Sequence, residues 1–364
     1  MTDTTVAPEA SPTGGRRPGY VDYEFAKRAG RTLVKAGPQV SAAEASDIVG
    51  DLRQAAAEAV APVAETSDLH APDDAPAPLV VDRPGWISAN VDSFRALLEP
   101  VVDKMASTMK KAPGAATQAI GGKVTGAEMG SLLAFLSSRV LGQYDLAPGG
   151  TPRLLLVAPN IVATERRLEV DPHDFRRWVA MHEETHRVQF TAVPWLRDHL
   201  VSASQALAVD LAPTPDDFSK RLESLARNLP DVFTSGEGVA NLFATPEQKA
   251  RIADITAVMS LLEGHADVVM DDVGPRVIPT VAHIRRRFDE RRSGAVGVDK
   301  LLRRLLGLEA KMRQYRDGAG FVRAVHDQVG RDGFNAVWTS PETLPRGAEI
   351  LDPGAWVRRV HGAA

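Results

Sequence analysis

The segment from Asp171 to Pro194, DPHDFRRWVAMHEETHRVQFTAVP, constrains the fold of this chain more than any other stretch. Asp171 is a ready N-cap, Pro172 suits the first helical position, and Asp174 sits in the first turn where the helix dipole favours an acid. Phe175, Trp178, Val179, His182, His186 and Phe190 then recur on one face, and Pro194 marks the end. The two histidines therefore lie on the apolar, inward face of a predicted helix. Being four residues apart, His182 and His186 can bring both imidazoles to one Zn²⁺, and Glu183 between them can flank the metal-bound water. Histidines on a core face also occur as plain packing residues, so the rest of the chain has to supply the context.

Composition narrows the chemistry further. The 364 residues include no cysteine, which removes disulfides, thiol nucleophiles and thiolate metal sites together. Any metal must be held by histidines and carboxylates. A net charge of −4 does not advertise a nucleic-acid partner. The longest uncharged apolar run, Leu154 to Ala163, is about half the roughly 20 residues of a spanning helix and contains Pro159. No membrane association is expected. Arg16-Arg17 precedes a charged stretch rather than an apolar one, so no export signal is read there, and a cytoplasmic location is expected.

The pattern along the chain predicts a mainly α protein, α+β with a small sheet. Residues 1–18 carry no periodicity and read as a disordered tail, with a single unit over 19–364. Helices are predicted from Asp22 through Leu33, across Ile48 to Ala59, and across Phe94 to Met105. The Pro- and Asp-rich stretch at 68–78 reads as an exposed linker, and LVVDRP follows as a short apolar piece. Thr125 to Gly142 reads as an apolar helix closed by Gly142, and Arg153 to Val157 is the best strand candidate. The metal-site core is expected within about 151–275.

A second helix is announced by Thr245-Pro246-Glu247-Gln248, a capping box with proline at the first position, and is expected to run to about Asp271 before Gly274-Pro275. Near its end stands Glu263-Gly264-His265-Ala266-Asp267. Glu263 and Asp267 share a face, the ExxxD spacing of zinc sites in which a glutamate completes the ligand set and an aspartate orients a bound imidazole. His265 is the competing third ligand. It lies about 200° around the helix from Glu263, so the two should not bind one metal together. Glu263 is favoured, because a ligating His265 would leave Asp267 without a role. His265 could then line the cleft or stabilise an oxyanion.

With these motifs the chain resembles a family of actinobacterial zincin-like zinc metallohydrolases, often associated with deazaflavin coenzyme biosynthesis. The likeness runs through VDYEFAKRAG, VVDRPGWISAN, SSRVLGQYD, WVAMHEETHRVQF and EGHADVVMD. It implies a zincin-like fold, one Zn²⁺ per chain at His182, His186 and Glu263, and Glu183 as catalytic base. It implies no particular substrate. The chain departs from the usual peptidase motif in carrying charged Glu184 and Arg187, which are expected to pair on the outer helix face at little energetic value.

The function expected is thus a peptidase-like zinc hydrolase acting on a peptide or other carbonyl substrate. Two rivals remain: a non-catalytic relative in which zinc is structural, and a helical interaction scaffold without metal. An open fourth metal position would favour the enzyme, whereas a fourth protein ligand would favour the structural site. Tyr144, Tyr315 and His283 are conceivable transition-state donors. Ile284 to Arg292 reads as a solvated face, Leu301 to Tyr315 as an amphipathic packing helix, and Gly236 to Ala244 as a loop near the cleft.

Overall fold

The computed structural model describes residues 20–108, 114–211, 245–293 and 308–362. The tail at 1–18, the loop at 236–244 and the first residues of the 301–315 segment lie outside the described residues. Asp22 caps α1 (Tyr23–Leu33), its carboxylate accepting from the Phe25 N–H at 2.9 Å. Ser41 caps α2 (Ala42–Ser67) in the same way at Glu44, after the break at Gly37-Pro38. Asp68 then turns left-handed, and an irregular stretch leads to β1 (Leu79–Val81).

After β1 come α3 (Arg83–Thr108), α4 (Ala115–Ser137), β2 (Gly142–Asp145), β3 (Arg153–Val157) and α5 (Ala158–Leu168). The candidate ligand helix is α6 (Pro172–Thr191), followed by α7 (Pro194–Leu211), α8 (Pro246–Val277), α9 (Val281–Ser293), α10 (Leu308–Asn335) and α11 (Pro353–His361). Helix α10 changes direction at Gly330, where φ is 71°. The protein is mainly helical with one three-stranded sheet of order β1-β3-β2. β1 runs parallel to β3 with Leu79 opposite Leu155, and β2 runs antiparallel to β3 with Gly142 opposite Leu156. No described helix is long and apolar enough to cross a membrane.

Boundaries differ from the sequence reading at several places: α4 begins at Ala115 rather than Thr125, and two helix ends beside the candidate site also shift. The helix expected to end at Gly142 stops at Ser137, and Gly142 opens strand β2 instead. Pairing with β3 decides this: Gln143 and Tyr144 have little strand signal of their own until Leu155 and Leu154 stand opposite them. Helix α8 runs past Gly274-Pro275 to Val277. Val273 and Gly274 are buried there, and a Cβ on Gly274 would sit 2.9 Å from Val281, so packing against α9 holds the last turn although Pro275 lacks an N–H.

The larger core gathers around α6, with Phe175, Val179, Val188, Leu196, Leu261 and Leu262 among its members. Helix α6 is packed by α2, by α8 and by β2 of the sheet edge. Helix α8 is in turn held by α10 at a close backbone crossing. A side chain on Gly264 would collide with the Gly318 backbone, and one on Gly318 with the Ser260 carbonyl. Only glycines allow that approach. The crossing fixes α8 at the residue between Glu263 and His265.

Candidate metal centre

The position of α6 is set at its first turn. Asp171 accepts from the Asp174 N–H at 2.9 Å, and Asp174 accepts from the Thr280 N–H and hydroxyl at 2.9 and 2.6 Å, anchoring the helix start beside α9. About one turn after Asp174 the Trp178 ring stacks on His182 at 6.4 Å, backed by Phe288 of α9 at 4.9 Å. The His182 and His186 rings meet edge to face, 4.9 Å apart at 89°.

Across from them stands Glu263 on α8. Its Oε2 lies 3.6 Å from His182 Nε2 and 3.4 Å from His186 Nε2. One ligand atom from each of these three side chains falls within 4.8 Å of the others, and among the described residues this is the set that could hold a metal ion. Burial alone would pull His186 down, but the Glu263 carboxylate outweighs it and holds His186 up at about 9. Burial would likewise raise Glu263, yet the two imidazoles hold it far below the usual carboxylate range. The centre therefore favours a positive charge at the meeting point. The imidazoles keep partial access to solvent, with 24% of the His182 side chain exposed.

Glu183 is almost fully buried on the flank of this cluster. Burial raises its carboxyl above the ordinary value, with Glu263 adding to the rise and the two histidines opposing it. The space for Glu183 is made by Gly142 at the start of β2: a Cβ there would lie 2.6 Å from Glu183 Oε1. The sequence reading treated Gly142 as a helix stop and missed this contact. Little in the sequence signals it, because Gln143 and Tyr144 become a strand only on pairing with β3.

His265 does not join the cluster. It is 2% exposed and packs between the Phe334 and Trp338 rings, with centroids at 5.5 and 5.4 Å. Burial, assisted by His326 and His186, lowers it to about 3, so it is a neutral imidazole. Its outer side borders a cavity of about 480 Å³ shared with Asp272, Arg276 and His326, and none of the three clustered donors lines that space. Asp267 lies one turn beyond Glu263, half-buried. For His186, however, the partner at Nδ1 is Gln189, whose Oε1 is 3.0 Å away. Sequence reasoning passed over Gln189, although its place three residues after His186 puts it on the same face.

A family profile for zincin-like metallopeptidases matches residues 21–357, nearly the whole chain. The chain belongs to the zincin-like metallopeptidase family. It is also similar to a solved structure from Chloroflexus aurantiacus, described as a "putative hydrolase with a novel fold", at 30% identity and a TM-score of 0.67. That match covers 94% of this chain and 100% of the other. No curated protein matches. Membership in the zincin-like family implies a metal, typically zinc, and the donors fit it. Two imidazole nitrogens and one carboxylate oxygen are a zinc set, and at His186 the second ring nitrogen already has its partner.

Relative to the family motif, Glu184 and Arg187 sit differently from expectation. They do pair, bidentately at 2.7 and 2.7 Å, but they are buried rather than on an outer face, Glu184 fully so. The helix has no outer face here, because α2, α8, α5 and strands β2 and β3 all pack against it. Of the conceivable donors, Tyr144 stacks on Phe190 at 5.2 Å, with its hydroxyl pKa raised by burial, and His283 meets Arg286 at 3.0 Å. The Tyr315 side chain lies outside the described residues. In the basic segment on α9, Arg285 pairs with Asp271 and Arg287 donates to the Leu168 carbonyl, so structural contacts use its charges.

Proposed function

We propose that the protein is a zinc-dependent, peptidase-like hydrolase with one zinc per chain, held by His182, His186 and Glu263, and with Glu183 as general base. The observation that carries this reading is the convergence of both Nε2 atoms on Glu263 Oε2, beside a carboxylate that has been kept buried and basic. Bound there, zinc supplies a Lewis acid that polarises a carbonyl and makes a water acidic near neutral pH.

The remaining work falls to the chain's own groups. Glu183 takes the proton of the attacking water on a carboxylate oxygen and can return it to the leaving amine. Its raised pKa makes it a better base than an ordinary glutamate and a usable acid afterwards. Gly142 keeps the carboxylate from being pushed aside. Asp267, on the same face of α8 as Glu263, is proposed to orient His182, since His186 already has Gln189. Zinc held by these three donors would have room for water or substrate, which favours the enzyme over a structural zinc site. The cysteine-free sequence suits a reducing cytoplasm, where we place the protein.

Metal analysis of protein purified without chelator, combined with Glu183→Gln, tests this. About one zinc per chain is expected in both proteins, with hydrolysis of a mixed peptide pool reduced roughly 10²–10⁴-fold in the variant. Loss of zinc from the variant would make Glu183 a ligand instead of a base. Undiminished hydrolysis would end the proposed mechanism.

A further inference from the structure

The Gln189 side chain is fully buried, yet all of its hydrogen-bonding capacity visible in the structure is directed at the two helices of the metal centre. Its Nε2 donates to the Leu262 carbonyl at 2.9 Å and to His265 Nδ1 at 3.0 Å, both on α8. Its Oε1 faces His186 Nδ1 at 3.0 Å on α6. These bonds determine one another's direction. A backbone carbonyl can only accept, so the amide end against Leu262 must be the NH₂ group. Its second hydrogen then points at His265 Nδ1, which must accept. The other end is the carbonyl oxygen, and it can only accept from a protonated Nδ1 of His186. A neutral imidazole with its proton on Nδ1 has its lone pair on Nε2, the atom that faces Glu263.

We infer that Gln189 is a positioning residue for the metal centre: clamped by Leu262 and His265, it holds His186 in the tautomer whose Nε2 is free to bind zinc. This rests on the zinc reading above and adds the device that prepares one ligand. It also gives His265 a role, as the second acceptor that holds the amide in this orientation beside the Leu262 carbonyl. The residue preceding Glu263 is part of the clamp as well. Gln189 thereby ties the helix carrying two ligands to the helix carrying the third at the ligand itself. Being an amide, it does this without adding a further negative charge to those of Glu263 and Glu183.

The test is zinc affinity, measured by competition with a chelating indicator, together with the visible spectrum of the cobalt-loaded protein. Gln189→Met keeps the volume and removes all three bonds. It should weaken zinc about 10–100-fold and shift the cobalt bands. Gln189→Glu keeps an acceptor for His186 Nδ1 but cannot donate to Leu262, so it should bind zinc more tightly than Gln189→Met. If Gln189 serves packing only, the buried charge makes the Glu variant the worse of the two, and that ranking would overturn the inference. Unchanged affinity and an unchanged cobalt spectrum in Gln189→Met would overturn it too. Should either variant fail to fold, His265→Leu reads out the same clamp from α8, with zinc weakened about tenfold; no weakening there counts against the inference. If the unaltered protein takes up no zinc, the failure belongs to the proposed function itself, and the wild-type titration separates that case from the others.

Discussion

Two adjacent glutamates of α6, about 100° apart around the helix, meet different surroundings, and the two sides treat charge differently. On the Glu184 side, a fully buried carboxylate and the Arg187 guanidinium satisfy each other bidentately and leave nothing over. On the Glu183 side, imidazoles and carboxylates converge on a point that favours a cation, and burial leaves Glu183 with a raised pKa. Both sides bear the desolvation cost of buried charge. On the Glu183 side, the three side chains that meet could also hold a metal ion. A buried ion pair that is complete supports the fold, whereas a buried set that is incomplete prepares a site.

The largest effect is expected from breaking the complete side. Arg187→Leu would strand Glu184 in the interior and should lower unfolding free energy by about 3–5 kcal/mol in denaturant titrations. Burial already raises the Glu184 carboxyl above its ordinary value. The folded form therefore binds that proton more tightly than the unfolded one. The deficit of the variant should be full above the raised pKa and shrink as pH falls through it towards the ordinary carboxylate value. A deficit below 1 kcal/mol, or one that grows on acidification, would mean the two sides of α6 are not different in kind.

Next comes the geometry of the reactive side. Gly142→Ala places a methyl group against Glu183, whose atoms are its nearest neighbours. Zinc content should be unchanged while peptide hydrolysis falls by around 10²-fold, the scale of an ångström-level misplacement of a catalytic group. Equal turnover in the variant would show that Glu183 need not stay where the structure has it. The smallest effect belongs to the outer carboxylate. Asp267→Asn should weaken zinc about 10–100-fold in a competitive chelator titration, with the lower end expected if Gln189 and Trp178 already hold the imidazoles. No change at all would make Asp267 a bystander of α8 and sharpen the contrast by confining the site to fewer groups.

What could be read from the sequence was whatever the local chain decides. Asp171-Pro172 started α6, the Thr245–Gln248 capping box started α8, and Arg153–Val157 formed a strand, because caps, prolines and apolar runs act through neighbouring residues. The spacings of His182 with His186 and of Glu263 with Asp267 were likewise visible, since a helix puts residues four apart on one face. Their convergence from positions 77 or more residues apart (186 to 263) was inferred from motif chemistry, and packing brought it about. Tertiary structure alone decided the rest. Strand β2 exists because β3 pairs with it. Glu184 and Arg187 are buried because neighbouring helices and strands pack around α6, covering a face that a helical wheel leaves to water. Gly142 and Gln189 matter through what stands opposite them, Glu183 in one case and Leu262 with His265 in the other. A side chain's partners across the core lie far away in sequence, so periodicity shows which face it occupies and only packing shows what it meets there.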